Sequence, residues 1–260
     1  MNTKRKPEKT QPKNPHGLTI NQHVLPAKTI ERFAGTDGSV SVFFKGGLEK
    51  GKTKRLWPNN PVFCANRVWN HRSEVIAKTT YEDPFQDLAD RIIAGTIQVL
   101  NSEDTITVTC FWGLWATRFL ARKDPPMDKL AVGVTGIESQ DLREQLERAG
   151  ALFISPGGKL SGRDLADMNI QKRIDKVLMD NRHWVWRILE AQSSEFIVPD
   201  CPSVLYIPIS PQVALLANQP VKTKILLNST EVENLNRTLY QVADRYIFAK
   251  SLNPGTTLWT

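Results

Sequence analysis

The sequence predicts an α+β fold in which a helical layer packs on an antiparallel sheet, with a C-terminal helix. Three observations predict it. Apolar residues recur at helical spacing through the middle of the chain, as in Phe85, Leu88, Ala89, Ile92 and Ile93. The last third instead carries short apolar runs at close spacing: Trp184–Leu189, Glu195–Val198, Val204–Ile207, Val213–Leu216 and Lys224–Leu227. Such runs predict strands of an antiparallel meander. A final amphipathic stretch opens with Thr230 and Glu233 as a capping box. Its apolar stripe joins Val232, Leu235, Leu239, Val242, Ala243, Tyr246 and Ile247.

Each element has its own signals. Residues 1–17 are polar and proline-rich and predict a disordered basic tail, leaving 18–260 as a single α+β domain. Val24, Leu25, Ile30 and Phe33 anchor the start of that domain. Pro26 opens a short helix that Gly35 stops. Gly38–Phe44 alternates as a strand after the turn pair Asp37-Gly38. Residues 45–60, rich in Gly and Lys, predict an exposed loop, and Val62–Trp69 a second short strand or extended segment. Asp83 as N-cap and Pro84 at the first position predict a helix start.

Ile106–Leu120 is apolar nearly all round and predicts a central buried helix. A strand is the alternative for its β-branched opening T-I-T-V-T. Asp124-Pro125-Pro126 breaks it. Ser139–Ala149 predicts a helix stopped by Gly150, and Ser155–Gly158 a loop. Ser161 and Asp164 form a capping box before a helix carrying Ile170, Ile174, Val177 and Leu178.

Composition bounds the function. The net charge is +7, and more than half of it lies in the first 13 residues, where Lys4, Arg5, Lys6, Lys9 and Lys13 stand against Glu8 alone. Those cations are candidate phosphate contacts for a nucleic acid. The rest of the chain is near neutral, which argues against a broad coating of a duplex. No apolar run approaches the ~18 residues of a membrane span, so no membrane role is expected. The N-terminus lacks the apolar segment of a secretory signal. The three cysteines, Cys64, Cys110 and Cys201, are widely spaced and indicate neither a disulfide framework nor a structural zinc site. A cytoplasmic location is the expectation.

Four residues are candidates for chemistry. Asp200 lies between Pro199 and Pro202 at the end of the apolar run Phe196–Val198, a stiff setting that would pre-position a carboxylate. An Asx turn is the plainer reading of the same residue. His23, among apolar neighbours, is a candidate base or metal ligand, although a lone histidine is more often a satisfied core residue. Arg118 lies on the most apolar helix and must find an acceptor, with Asp200, Glu82, Asp83 and Glu190 as candidates. It could serve as a structural ion pair or as a phosphate clamp. Asn236 borders the stripe of the last helix and needs a partner. Cys201 reads as a packed thiol rather than a nucleophile. The phosphate-loop, dinucleotide, nucleophile-elbow and H-E-x-x-H signatures are absent, so no nucleotide cofactor is indicated.

Taken in order, these pieces resemble the bacterial family called domain of unknown function 4238. His23-Val24-Leu25-Pro26, with Ile30 and Phe33, is similar to that family's H-Y-V-P-x-x-Y-L-x-x-F opening. Ser39–Phe44 resembles its short early strand, and Arg118 the arginine that ends its central buried helix. Phe196–Pro202 resembles its F-I-x-S-D-N-P, and Pro208–Pro211 its P-L-S-P. Leu235-Asn236, Ala243 and Phe248 match its last helix. The resemblance covers residues 20–250 except 125–170, which do not align. The chain departs from the pattern at Val24 for an aromatic, Pro199 for Ser and Cys201 for Asn. The resemblance implies a dispersed polar set of His, Arg, Asp and Asn, in accessory proteins of mobile elements and phage defence.

The leading functional expectation is a nucleic-acid-directed hydrolase, a nuclease-like effector of antiviral defence or toxin type. In it Asp200 and His23 supply base or metal-ligand chemistry with a divalent cation, Mg or Mn, and Arg118 clamps a phosphate. Asn236 orients the site. The rival is a non-catalytic module for a protein partner, in which the four residues form a buried structural network. A nucleotide or small-molecule hydrolase is the third reading. Exposure separates them: an open pocket around the four favours an enzyme, and a sealed core favours the module.

Overall fold

The computed structural model of the chain describes residues 8–218 and 223–252. It is an α+β fold with antiparallel sheets and a helix close to the C-terminal end. In chain order the strands are β1 (Asn21–His23), β2 (Val40–Phe44), β3 (Thr53–Leu56), β4 (Cys64–Asn66), β5 (Lys129–Leu130), β6 (Ile154–Ser155), β7 (Lys159–Leu160), β8 (Trp186–Ala191), β9 (Val198–Pro199), β10 (Tyr206–Pro208), β11 (Val213–Ala217), β12 (Ile225–Leu227) and β13 (Tyr246–Ala249). The α-helices are α1 (Ala27–Glu31), α2 (His71–Ala77), α3 (Asp83–Ile93), α4 (Ser102–Lys123), α5 (Gln140–Arg148), α6 (Gly162–Asp180) and α7 (Ser229–Val242).

Two four-stranded sheets carry the fold. One has the order β3-β2-β13-β9 and is antiparallel throughout. The other has the order β10-β11-β8-β12, with β12 running parallel to β8. The expected meander is therefore divided: β9 leaves its sequence neighbours to pair with β13, and β12 returns parallel after a crossover. β1 pairs with β4, and β5-β7-β6 form a small separate sheet.

The inner strands of both main sheets are buried on both faces. Alternate side chains of a strand point to opposite faces, and here each face has its own core. Trp186 and Ile188 of β8 and Tyr246 and Phe248 of β13 join the larger core with α2, α3, α4 and α6. Leu189, Ala191, Ile247 and Ala249 of the same strands join a second core with Val232 and Leu239 of α7. This is why the strands read as nearly continuous apolar runs rather than as alternating ones.

The central helix α4 follows its prediction, and the strand alternative for its opening does not occur. Asn101 and Asp104 form a capping box, and Thr107 and Thr109 donate their hydroxyls to the carbonyls of Glu103 and Thr105, four residues back. Phe111 stacks on Phe85 of α3 with ring centroids 3.6 Å apart. Gly113 lets α6 approach closely: a Cβ there would sit 3.4 Å from Val177 Cγ1.

Other boundaries differ from expectation. α3 begins at Asp83 but not from a loop, because a π-helical turn, Lys78–Glu82, joins it to α2 without a break. Asp83 is helical and binds Lys78 Nζ at 2.5 Å instead of capping. The missing N–H of Pro84 is tolerated where the wider turn interrupts the regular hydrogen-bond ladder. Residues 53–56, expected in a loop, are the edge strand β3. At α6, Ser161 caps Arg163 N, while Asp164 turns to Asn70. At α7 the capping box is Asn228 with Glu231, two residues before the expected pair. The helix also ends sooner than expected, and Tyr246 and Ile247 belong to β13. Finally, residues 8–17, expected to be disordered, lie along α5. Gln11 N donates to Glu144 Oε1 at 2.8 Å, His16 Nε2 meets Asp141 Oδ1 at 2.8 Å, and Glu8 Oε2 lies 2.6 Å from Arg163 Nη1. Residues 1–7 lie outside the described residues.

Candidate functional site

Asp200 is buried, with 4% of its surface exposed. It follows β9, where its own N–H donates to the Tyr246 carbonyl of β13 at 3.1 Å. Its carboxylate accepts the backbone N–H groups of Asp244 at 2.8 Å and Arg245 at 3.1 Å, and Arg122 Nη2 lies 3.5 Å from Oδ2. Burial raises its pKa above the usual aspartate value, against the opposing pull of Arg122 and the two N–H donors. Lys45 completes the same corner from the other charge. Its ammonium donates to the Ala243 carbonyl at 2.7 Å, to that of Gln241 at 3.1 Å, and to that of Tyr240. The end of α7 is thus held by a carboxylate on the two amides that follow its cap and an ammonium on its last carbonyls.

Arg118 and Arg122 stand one turn apart on α4. Arg118 is the more deeply buried, at 1% exposed. Its Nη1 lies 2.7 Å from Glu82 Oε1 and its Nη2 3.5 Å from Glu74 Oε1, with the guanidinium 5.4 Å from the Trp69 ring centroid. Glu74 also accepts from Trp69 Nε1. The π-helical turn ends at Glu82 and so presents that carboxylate to α4. Arg122 faces Asp200 and also contacts Tyr246, whose hydroxyl burial pushes up to about 12.

Asn236, 5% exposed, clips α7 to the segment before β9. Its Oδ1 accepts from Ile197 N at 3.1 Å, and its Nδ2 donates to the Glu195 carbonyl at 2.8 Å. His23 sits on β1 opposite Cys64, with Nε2 3.0 Å from the Pro58 carbonyl. Among the described residues, no hydrogen bond or ion pair joins any two of His23, Arg118, Asp200 and Asn236. Each has separate partners. Nor does any group of three or more His, Cys, Asp or Glu among the described residues form a metal cluster. Of the tail cations, Lys9 and Lys13 are exposed, and Lys4, Arg5 and Lys6 lie outside the described residues.

Sequence reasoning named Glu82 among possible partners of Arg118 but passed over Glu74, Arg122 and Lys45. Arg122 carried a signal, since it follows Arg118 at i+4 on the same apolar helix. Lys45, in a Gly- and Lys-rich stretch, carried none.

An open concave surface lies elsewhere. A groove of about 690 Å³ runs between α2 with the π-helical turn on one side and α6 on the other. Ile76, Leu152, Met168 and Met179 are exposed in it, and Arg72 and Lys172 stand at its rim. Tyr81 OH accepts from Gln171 Nε2 at 2.7 Å, tying the two walls together.

None of the protein-family models, curated proteins or solved structures compared with the chain matches it. The likeness to domain of unknown function 4238 rests on the quoted motifs. No helix among the described residues is long and apolar enough to cross a membrane.

Proposed function

We propose that the chain is a non-catalytic binding module, and that it seats an amphipathic helix of a protein partner in the groove between α2 and α6. One observation carries this reading. Three of the four side chains singled out for chemistry, Asp200, Arg118 and Asn236, are buried and bound to the chain's own groups, while the open groove has an apolar floor. Asp200 accepts two backbone N–H groups, Arg118 is bracketed by two glutamates, and Asn236 bridges two backbone groups. A buried network so arranged stiffens a fold. A hydrolase would need Asp200 and His23 to share one site.

The groove suits a helix in length and character. Its residues on α6 run from Asp167 to Asp180, or about 20 Å at 1.5 Å per residue, which accommodates three to four turns. Methionines adapt to varied apolar partners, and an apolar helix face laid in a groove is a recurring mode of recognition. The aspartates at the rim already have partners: Asp167 in Asn70, Asp175 in Gln171 and Asp180 in Lys176. Of the lining cations, Arg72 donates to the Gly150 carbonyl and Lys176 to Asp180, which leaves Lys172 to favour an acidic residue flanking the partner's apolar stripe. The π-helical turn in the wall accords with this, since such bulges concentrate at functional sites. A cytoplasmic setting, with all three cysteines as thiols, fits the same reading.

The test is a titration of labelled amphipathic helical peptides, with Leu at i, i+3, i+4 and i+7 and acidic flanks, against the wild type. Met168→Glu with Met179→Glu should weaken binding at least tenfold, and Leu226→Glu, on a different surface, should not. Alongside it, DNA and RNA are incubated with the protein and Mg or Mn. Cleavage by the wild type that an equally stable Asp200→Asn lacks would replace the module with a hydrolase.

A further inference from the structure

A second polar cluster lies apart from both the groove and α4. Arg67, 3% exposed, and Arg163, 2% exposed, share one carboxylate oxygen: Glu147 Oε2 lies 2.7 Å from Arg67 Nη2 and 3.0 Å from Arg163 Nη2. Above them Glu8 places Oε2 2.6 Å from Arg163 Nη1 and Oε1 3.9 Å from Arg143 Nη2. The guanidinium of Arg143 is itself fixed, donating to the carbonyls of Ile137 and Glu138.

Several donors here have no partner. Arg67 Nε and Nη1, Arg143 Nε and Arg163 Nε are buried without an acceptor, as is the acceptor Asp164 Oδ2. Half of the buried side-chain polar atoms lacking a partner among the described residues fall in this one cluster. Buried guanidinium N–H groups are expected to find acceptors, and Arg67 is also made less basic by burial and by Arg163. Of the acidic neighbours, Glu144 is committed to Gln11 and Gln140, and Asp164 gives one oxygen, Oδ1, to Asn70.

Glu8 differs from the groups beneath it. Its side chain is 40% exposed, and it belongs to a segment without helix or strand. A carboxylate that accepts from Arg163 at 2.6 Å with a second guanidinium, Arg143, 3.9 Å from its other oxygen occupies the place a bound oxyanion would take. We propose that Arg163 and Arg143, with Arg67 beneath, form a site for a small oxyanion, a carboxylate or phosphate group. In this structure the chain's own Glu8 carboxylate occupies it. Binding of the oxyanion displaces Glu8 and loosens residues 8–17 from α5. This site is independent of the groove, and either proposal can fail without the other.

The experiment is thermal unfolding of the full chain at matched ionic strength in chloride, inorganic phosphate or acetate. Glu8→Ala should lower the melting temperature in chloride. Phosphate or acetate at 1–10 mM, on the order of ordinary weak-anion affinities, should then raise it by about 3 °C. The same anions should move the wild type less. A response to phosphate alone assigns a phosphate ligand, and a response to acetate as well assigns a carboxylate. Glu8→Gln, which keeps the side chain's shape, serves if Glu8→Ala does not fold. Adding Arg143→Met should remove the response. No anion-specific rise in either Glu8 variant, or a rise that survives Arg143→Met, would overturn the site.

Discussion

Asp200 accepts the backbone N–H of Asp244 at 2.8 Å, and the helix α7 stops there. The contact spans 44 residues and turns a helix into the strand β13. Replacing Asp200 with Ala leaves the N–H groups of Asp244 and Arg245 without their acceptor and Arg122 without its counter-charge. Loss of one partner of a buried pair costs about 3–5 kcal/mol. Urea unfolding of Asp200→Ala should show a drop of that order, and a change below about 1 kcal/mol would remove Asp200 from its clamping role.

Lys45 answers Asp200 from the carbonyl side. Lys45→Met retains the stem and removes the donors to Tyr240, Gln241 and Ala243. A cation at a helix C-terminus is worth about 0.3–2 kcal/mol. Denaturant midpoints should show a loss in that range, with amide exchange quickening in the last turn of α7.

Arg118→Met should destabilise the fold by about 1–3 kcal/mol, because Glu82 and Glu74, both partly buried, lose their shared cation. Adding Glu82→Gln and Glu74→Gln should recover part of that loss. A triple variant no more stable than the single one would show that the charges are not the cause.

Asn236→Leu should cost about 1–3 kcal/mol, as Ile197 N–H and the Glu195 carbonyl lose their partners. Calorimetry on this variant and on Asn236→Asp separates the two bonds. The aspartate can still accept from Ile197 but cannot donate to Glu195.

Stability depends on pH through two buried groups, Tyr246 and Asp200. Tyr246 is raised from 10.0 to about 12 by burial. The folded state therefore holds its proton longer than the unfolded chain, and stability should fall as pH rises from 10 towards 12. Tyr246→Phe should flatten that alkaline slope. Asp200 is raised as well, from 3.8, so its own contribution to stability falls as pH climbs from 3.8 through the folded value. Asp200→Asn should remove this acid-side component.

The residues that would need special surroundings could be read from the sequence more readily than the surroundings themselves. Arg118 and Asn236 were each expected to require partners, and each has them. The role of Asp200 was not readable, because a donor such as Asp244 N–H lies far away in sequence and carries no side-chain signature. Tyr246 and Ile247 continue the spacing of Leu239, Val242 and Ala243, so local periodicity alone extends α7 through them. Asp200 and Lys45 overrule it from outside the helix. Strand β3, T-K-R-L, shows no apolar alternation because an edge strand is commonly charged. The groove left only weak traces, since Ile76, Met168 and Met179 share their helices with the core residues Ala77, Ala166, Ile170 and Ile174.

The pairing of β13 has a consequence for the order of assembly. Tyr246 and Phe44, opposite each other across β13 and β2, are about 200 residues apart, which makes this a contact of high order and slow closure. During synthesis β2 is made early, yet its inner edge stays unpaired until residues 246–249 arrive. The larger core cannot close before then. Until that moment the nascent chain exposes an open strand edge, the kind of surface that chaperones shield and that aggregation exploits.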